Sequence, residues 1–484
     1  MKKQPVILFL FFLIALISCR ETDIFTNDSA AKLSFSTDTV HFDTIFTTIG
    51  STTQQFRFYN KNKEAVKTTI KLVGGSNSNY RLNIDGQSVD ELTDYEILGN
   101  DSAFVFVEVT IDPLNSNSPL VVEDSIVFYT NGNIQDVNLV AFGQDVHLYK
   151  SSIIDDTRTW VNDKPYLVYD SVRVEKNALL TIDPGVNVYF HNQAALWVSG
   201  TLKVNGTVEE PVSFSGDRLE EWYRIAPGQW YGVYRTDSQA YLTGGIHFWQ
   251  GSTNNEINHA VIENGVIGIK VDMVGNGSNP TLILSNSIIK NMSSIGLMAQ
   301  SSNVLVYNSV IANCGIYAVL LYLGGNYEFY HTTIGNYYEF DSRKTESLAL
   351  NNYYMIDKIA TVFPFNAKFG NCIVYGNIEN ELVVDKYPTE EAPFTYVFDH
   401  CLMKLGKTFN SSDTNYFKDI IRHKDSLPKF IDTYESDYRL DTLSAAKDKG
   451  SPFYSNYFPT DLAGKDRMLD KGPDLGAYER IEEK

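Results

Sequence analysis

A four-residue pattern recurs six times in the second half of the chain and constrains the fold more than any other feature of the sequence. Its first position is Asn or His, its second is small, and its fourth is aliphatic or Met. The successive segments begin 27, 22, 23, 40 and 29 residues apart, at His259, Asn286, Asn308, His331, Asn371 and His400. A strand that recurs at this spacing is typical of the coils of a solenoid, whose inward side chains share one continuous core.

A second column of asparagines follows the first four of these segments. Asparagine tolerates the left-handed backbone of a sharp bend, and stacked amides can hydrogen-bond along a ladder. The residues are Asn264, Asn291, Asn313 and Asn336. His259, His331 and His400 alternate with Asn in the first column, so we interpret them as turn or ladder residues rather than as zinc ligands. No metal site is predicted from them.

These columns resemble the right-handed parallel β-helix of pectate-lyase-like proteins. Leu180–Val186, Leu196–Thr207 and Pro227–Val233 are similar to the opening coils of that family. The resemblance implies a β-helix over residues 151–408 and says little about function, because this architecture serves lyases, hydrolases, adhesins and inert surface proteins alike.

The C-terminal segment, residues 409–484, is similar to the last segment of exported bacterial β-helix proteins. It carries Asp437–Leu440, Asp461–Gly464 and Asp474–Glu479. A solenoid must cover its last coil with polar structure, so we predict that this segment is a cap.

The region before the repeats has short alternating strands. Phe104–Ile111 is stopped by Asp112-Pro113, and Asn131-Gly132 separates two later runs, which is the strongest short hairpin signal. About seven strands in roughly 110 residues predict an immunoglobulin-like β-sandwich over residues 33–148. The zone resembles modules that precede larger domains in bacterial surface proteins, and we interpret it as a spacer. The whole chain is therefore predicted to be all-β.

The N-terminus predicts export. Lys2 and Lys3 precede an apolar run, Val6–Ile17, and the sequence Leu16–Cys19 resembles the lipobox of bacterial lipoproteins. We predict a signal peptide over residues 1–18, lipid on Cys19 and a tether over residues 19–32. By resemblance to lipoprotein sorting patterns, the absence of Asp after the cysteine favours the outer membrane. We expect the body at the cell surface, and a periplasm-facing body is the alternative.

Composition excludes one class of partner. The 484 residues include 40 Lys and Arg against 59 Asp and Glu, a net charge of -19, which lacks the basic footprint of a nucleic-acid-binding protein. Besides Cys19 the chain has Cys314, Cys372 and Cys401, an odd set that is no complete disulfide framework. Cys372 and Cys401 share the small-residue column, so they are either packed thiols or, on adjacent coils, a disulfide.

The sequence assigns no catalytic residue. Uronate-cleaving β-helix enzymes combine acidic calcium ligands with a Lys or Arg base, and no paired-Asp motif recurs in these coils. A glycoside hydrolase needs two facing carboxylates. The candidates are Glu220, Glu221, Glu256, Glu263 and Asp272. We predict no cofactor, and calcium is expected only if the protein is a lyase.

Two segments outside the regular repeat are rich in aromatic residues, Asp217–Gln250 and Tyr337–Tyr354. Exposed aromatic rings stack on sugar rings while their polar tips remain hydrated. The predicted glycan-binding residues are Trp222, Tyr223, Trp230, Tyr231, Trp249, Tyr337 and Tyr338. We expect Trp222, Tyr223, Tyr337 and Tyr338 to be exposed, whereas Trp230 and Trp249 fit a core position equally well.

The sequence thus favours a membrane-anchored envelope protein that binds polysaccharide or another surface component without catalysis. A polysaccharide lyase or glycoside hydrolase on the same scaffold is the first alternative, and a structural envelope protein is the second.

Overall fold

The computed structural model describes residues 24–113, 120–235, 240–273, 280–389, 391–422 and 426–481. The chain divides into two compact units, Met1–Asp145 and Val146–Lys484. The predicted signal peptide, Cys19 and the start of the tether lie outside the described residues. Within those ranges, no helix combines the length and the apolar character that crossing a bilayer would require.

The first unit is a β-sandwich of two five-stranded sheets. One sheet contains, in spatial order, Ser34–Phe35, Gln54–Asn60, Asp101–Val109, Tyr80–Ile84 and Gln87–Ser88. The other contains Thr39–Phe46, Asn133–Gln144, Leu120–Thr130, Val66–Leu72 and Glu91–Ile97. Because side chains alternate between the two faces of a strand, the alternating sequence places one apolar row of each sheet in the shared core.

The Asn131-Gly132 turn is a tight hairpin, as predicted. Thr130 and Asn133 pair directly across it, and the turn residues have φ of 50° and 79°. Both values lie in the left-handed region, which the common two-residue hairpin turn requires.

The second unit is a parallel β-helix in which most coils give one strand to a ten-stranded sheet and two strands to a seventeen-stranded sheet. The ten-stranded sheet contains His147–Tyr149, Tyr166–Val168, Asn187–Phe190, Val212–Gly216, Ala260–Glu263, Ile288–Met292, Val310–Cys314, Thr333–Asn336, Ile373–Gly376 and Leu402–Met403. The seventeen-stranded sheet contains Ser152–Ile154, Thr157–Trp160, Ser171–Val174, Leu179–Ile182, Ala195–Val198, Thr201–Asn205, Ile246–Phe248, Asn255–Asn258, Ile267–Val271, Leu282–Ser285, Ile295–Tyr307, Tyr317–Tyr330, Leu348–Asn351, Phe365–Gly370, Leu382–Asp385, Phe394–Asp399 and Phe417–Lys418.

Three antiparallel hairpins and three short helices complete the described structure. The hairpins pair Val233–Arg235 with Ala240–Leu242, Tyr353–Ile356 with Ile359–Val362, and Phe430–Asp432 with Asp437–Leu440. The 3-10 helices are Gly75–Asn77 and Glu221–Tyr223, and the α-helix is Pro452–Ser455. The all-β fold predicted from the sequence, a sandwich followed by a parallel β-helix, is confirmed.

The six recurring segments are consecutive neighbours in the ten-stranded sheet. Val261 pairs with Ile288, Ile288 with Val310, Val310 with Thr333, Thr333 with Ile373, and Ile373 with Leu402, so every segment keeps the same register. The repeat read in the sequence therefore corresponds to one strand on each successive coil.

The Asn/His column is a turn and a ladder, as predicted. Its six members all have φ between 44° and 54°. The Asn286 amide donates to Asn258 Oδ1 at 2.8 Å, and Asn308 donates to Asn286 at 3.1 Å. His259 and His331 lie on strand ends with two other strands between them, so the histidines do not form a shared metal site.

The core of the β-helix is one stack of apolar side chains. Phe329, Phe369, Phe398 and Phe417 stack on four successive coils with ring centroids 5.0, 4.4 and 5.7 Å apart. Cys314, Cys372 and Cys401 are buried and unbonded, which resolves the disulfide alternative in favour of packed thiols.

The C-terminal segment has two parts. Phe409, Tyr416, Phe417 and Ile420 pack on the core at the last coil. Beyond them the chain returns along the outward face of the ten-stranded sheet, where Tyr438 packs on Val310 and Ala312. The predicted cap thus covers both the end of the helix and the side of its last coils.

Candidate functional site

Two insertions leave the β-helix at the same corner. Residues 217–245 follow the strand Val212–Gly216, and residues 337–347 follow the strand Thr333–Asn336. Both strands belong to the ten-stranded sheet, and in both cases the chain re-enters at a strand of the seventeen-stranded sheet. Three strands of this sheet lie between the two exit points, and the first insertion runs back along the corner towards the second, where the Asn264 amide donates to Arg224 O at 3.0 Å.

A cavity of about 220 Å³ lies at this corner, and we call it the corner pocket. Four separate parts of the chain line it: the first insertion, the asparagine column, the second insertion and the C-terminal hairpin. The lining residues are Ile225, Asn291, Asn313, Tyr337, Tyr338, Glu339, Phe340, Thr433 and Tyr434.

The two asparagines of the pocket have different roles. The Asn313 amide donates to Thr433 O at 3.2 Å and to Ser436 Oγ at 3.0 Å, and its Oδ1 accepts from the Tyr438 hydroxyl at 2.7 Å. Asn313 therefore holds the C-terminal hairpin in place. Within the described part of the chain, the Asn291 side chain makes no hydrogen bond. Its amide is available to a ligand as both donor and acceptor.

The aromatic walls are partly fixed and partly open. Tyr338 is only 6% exposed and lies 5.6 Å, between ring centroids, from Phe340, which is 49% exposed. Tyr337 is packed edge-on against Phe430 at 6.2 Å. Tyr434, from the C-terminal hairpin, is 60% exposed. The pocket thus combines one buried and one half-buried tyrosine with two accessible rings, Phe340 and Tyr434.

Among the described residues, the charged groups around the pocket are one guanidinium, Arg224, and three carboxylates, Glu221, Glu339 and Glu435, so the rim is net negative. Arg224 bridges the first insertion to the C-terminal hairpin, because its guanidinium lies 3.2 Å from Glu221 and 3.5 Å from Glu435. Burial raises the pKa of the Tyr337 and Tyr338 hydroxyls above their ordinary value, so both phenols remain neutral. Apolar rings with neutral polar groups suit an uncharged, hydroxyl-rich ligand.

The structure separates the seven predicted glycan-binding aromatics. Trp222 is 91% exposed, as expected, and Tyr223 is half-buried beneath the Arg218 guanidinium, 4.0 Å from its ring centroid. Tyr337 and Tyr338 line the pocket, but they are not exposed as expected: Tyr337 is half-buried because it packs on Phe430 of the C-terminal hairpin, and Tyr338 is buried beside Phe340.

The prediction that Trp230 contacts a glycan was wrong, because its side chain is 0% exposed. Its indole stacks on Phe190 at 4.4 Å and donates to Glu263 O at 2.9 Å. Tyr231 and Trp249 are half-buried and do not line the corner pocket. The Trp249 ring stacks on His247 with centroids 4.7 Å apart.

Sequence reasoning missed Ile225, Asn291, Phe340 and Tyr434 as pocket residues. Asn291 and Phe340 lay in features already recognised, the asparagine column and the second aromatic segment. Nothing in the sequence connects Tyr434 to them, because its position depends on how the C-terminal segment folds back.

The five candidate carboxylates are each held by a cation. Lys203 binds Glu256 at 2.6 Å, Lys290 binds Glu263 at 3.2 Å, and Arg218 and Arg224 bind Glu220 and Glu221. Lys270 Nζ lies 3.5 Å from Asp272, which also contacts His247 Nε2 at 2.6 Å and accepts from the Gln300 amide at 2.8 Å. Glu256 and Glu263 lie in different sheets, so this pair does not face across a common groove.

One acidic cluster among the described residues has potential metal-ligand spacing, Asp399, His400 and Asp419. Both Asp399 oxygens are engaged within the protein: Oδ1 lies 2.6 Å from His400 Nδ1, and Oδ2 accepts from the Tyr454 hydroxyl at 2.8 Å. These contacts hold Asp399 and His400 in place within the protein.

No family model and no curated protein matches the chain. Among solved structures, the Agl-KA catalytic domain is similar at 10% identity, with 76% of this chain and 80% of that chain covered and a TM-score of 0.23. The catalytic unit of a GH87 alpha-1,3-glucanase from Streptomyces thermodiastaticus has 10% identity, 76% and 88% coverage and a TM-score of 0.23. An ASH / PapD-like domain of human CEP192 has 9% identity, covers 24% of this chain and 85% of that chain, and has a TM-score of 0.17.

Proposed function

We propose that the protein binds polysaccharide at the cell envelope and that the corner pocket holds one sugar residue. The observation that carries the proposal is the free Asn291 amide between accessible aromatic faces, Phe340 and Tyr434, in a cavity of about 220 Å³. Aromatic faces pack on the apolar face of a sugar ring, and an amide recognises its hydroxyls. A volume below that of typical drug-sized pockets suits a single ring.

The exposed Trp222 extends the proposed surface. It belongs to the short helix Glu221–Tyr223, which directly precedes the pocket residue Ile225 in the first insertion. Tryptophan is highly buried on average, so the almost fully exposed Trp222 indole offers an accessible ring face on which a sugar could stack. In our proposal Trp222 contacts a sugar outside the pocket on the same polysaccharide chain.

The proposal includes a lipid anchor on Cys19, supported by the lipobox-like sequence Leu16–Cys19. We propose the outer membrane as its location and the cell surface as its orientation. The anchor is tested by metabolic labelling with a fatty acid: the wild-type chain should incorporate label and Cys19→Ala should not. Equal labelling of both would remove the anchor from the proposal.

Binding is tested with purified protein that starts at Arg20, by retardation during electrophoresis through gels that contain neutral or acidic polysaccharides. For a polysaccharide that retards the wild type, Tyr434→Ala should weaken binding about tenfold, the effect of losing one stacking contact worth about 1.4 kcal/mol. Asn291→Asp should weaken binding several-fold, since it removes the donor and keeps a side chain that tolerates the φ of 55°.

The matched control is Tyr129→Ala, which removes an exposed tyrosine from the sandwich strand Leu120–Thr130. Its binding should equal that of the wild type. Polysaccharide chains shortened after incubation would show catalysis and contradict the proposal of a binding protein. Retardation that is equal in the wild type, Tyr434→Ala and Asn291→Asp would move binding away from the corner pocket.

A further inference from the structure

A second and larger cavity lies at the last coil of the β-helix, where the chain enters the cap. Its volume is about 790 Å³, and we call it the end cavity. Strand residue Met403 and its neighbour Leu405, both buried, form the apolar floor, and Ile420 and Ile421 add a second apolar wall. The Tyr375 ring lies beside them with 8% of its surface exposed, and Lys404 Nζ lies 5.4 Å from its centroid.

Three cationic residues line the end cavity: Lys404, Lys407 and Arg422. Lys404 Nζ donates to Gly376 O at 2.7 Å. The Arg422 guanidinium donates to Phe409 O at 3.0 Å and to Gly406 O at 3.2 Å. These acceptors are neutral carbonyl groups, so the bonds orient the cations without cancelling their charge.

None of the three cations forms an ion pair with a carboxylate in the part of the chain that the structure describes. Glu379 is the one described carboxylate residue in the lining, so three positive charges face one negative charge. This is unusual in a chain whose net charge is -19. Lys404 and Arg422 are half-buried against the apolar walls, so their field acts strongly on an anion within the cavity, and the exposed Lys407 adds a third charge at its rim.

Lys404 shows the effect of that environment. Burial lowers the pKa of its ammonium group, and the nearby Arg343 adds to the effect, while Glu381 opposes it. Glu381 is itself bound to Arg343 at 2.7 Å. An anion in the cavity would stabilise the ammonium form of Lys404, because it would provide the negative charge that no described carboxylate places beside this group.

We infer that the end cavity binds the anionic substituent of a saccharide, a sulfate ester, a phosphate ester or a carboxylate, with the sugar ring against Tyr375 and the apolar walls. The anion is recognised by Lys404, Lys407 and Arg422, and the ring by the aromatic and aliphatic side chains. The saccharide part of this inference rests on the proposed function, whereas the anion part rests on the cavity alone.

The test is a ligand-observed NMR titration of the protein that starts at Arg20 with galactose 6-sulfate, galactose 6-phosphate, galacturonate, galactose and inorganic sulfate. At least one anionic sugar should bind tenfold or more tightly than galactose. Lys404→Gln/Lys407→Gln should weaken that binding at least tenfold. The control is Lys418→Gln, which removes an exposed lysine that belongs to the same end coil but does not line the cavity. It should leave binding unchanged.

The anion that binds most tightly identifies the substituent. Three results would overturn the inference: galactose that binds as well as its anionic derivatives, anionic sugars that bind the double variant as well as the wild type, or inorganic sulfate that binds as tightly as the sugars. If the double variant does not fold, Lys407→Gln alone, at an exposed position, should weaken binding at least threefold. Tyr434→Ala should leave this titration unchanged, so failure here is distinct from failure of the corner pocket.

Discussion

Trp230 provides the sharpest test of how the β-helix uses its aromatic residues. It belongs to the same insertion as the exposed Trp222, yet its indole lies in the core of the β-helix. Trp230→Ala should therefore destabilise the helical unit and should act on binding only through folding. Trp222→Ala should have the opposite pattern.

The magnitude follows from the contacts. Replacing a fully buried Trp or Phe by Ala typically costs about 3–5 kcal/mol of unfolding free energy. The change also leaves Glu263 O without the indole donor at 2.9 Å, which adds about 1 kcal/mol. Trp230→Phe isolates the second effect, since it keeps an aromatic ring against Phe190. Trp222→Ala, at an exposed site, should stay within about 0.5 kcal/mol of the wild type.

The assay is urea unfolding followed by tryptophan fluorescence. All five tryptophans, Trp160, Trp197, Trp222, Trp230 and Trp249, lie in the second unit, so the signal reports the β-helix and not the sandwich. Gly245→Ala gives an independent check, because a Cβ at Gly245 would lie 1.6 Å from the Trp230 ring. If Trp230→Ala and Gly245→Ala both unfold at the same urea concentration as the wild type, the core position of the indole is refuted.

Two further predictions concern buried groups of the helical unit. Because Cys314, Cys372 and Cys401 are unbonded, protein that starts at Arg20 should titrate three thiols per chain after denaturation, whereas a single thiol would reveal a Cys372–Cys401 disulfide. Burial raises the pKa of Glu479 from an ordinary value of 4.5 to about 9. The protonated carboxyl is therefore favoured in the folded state, and its contribution to the free energy of unfolding is complete below pH 4.5 and is lost as the pH rises towards 9. Glu479→Gln should flatten the fall of Tm over that range, and an equally steep fall would assign it to other groups.

The sequence was sufficient for the fold because the repeat is local and periodic. Each coil places Asn or His at the same left-handed turn, so Asn286, Asn308 and Asn371 mark consecutive strands without any knowledge of distant contacts. The hairpin at Asn131-Gly132 was predictable for the same reason, since two residues determine the turn.

The corner pocket was only half predictable. Both aromatic segments were recognised as departures from the repeat, but their meeting depends on the first insertion running along the corner of the β-helix past Asn264. Exposure could not be inferred, because it depends on what packs against each ring. Tyr338 is covered and Phe340 is open although they are two residues apart and equally aromatic. No feature of the sequence indicated the end cavity, because Lys404 and Arg422 become neighbours only when the last coil has folded.

The C-terminal segment connects the stability of the solenoid to its proposed binding surface. Asn313 belongs to the asparagine column, but its hydrogen bonds to Thr433, Ser436 and Tyr438 fix the hairpin that supplies Tyr434 to the corner pocket. Arg467 extends this docking, since it is buried and donates to Asn308 Oδ1 at 3.0 Å. Asn308, which also donates to Asn286 on the neighbouring coil, therefore helps both to stack the coils and to position the cap. A β-helix needs its flank covered for stability, and in this protein the covering segment also forms one wall of the pocket.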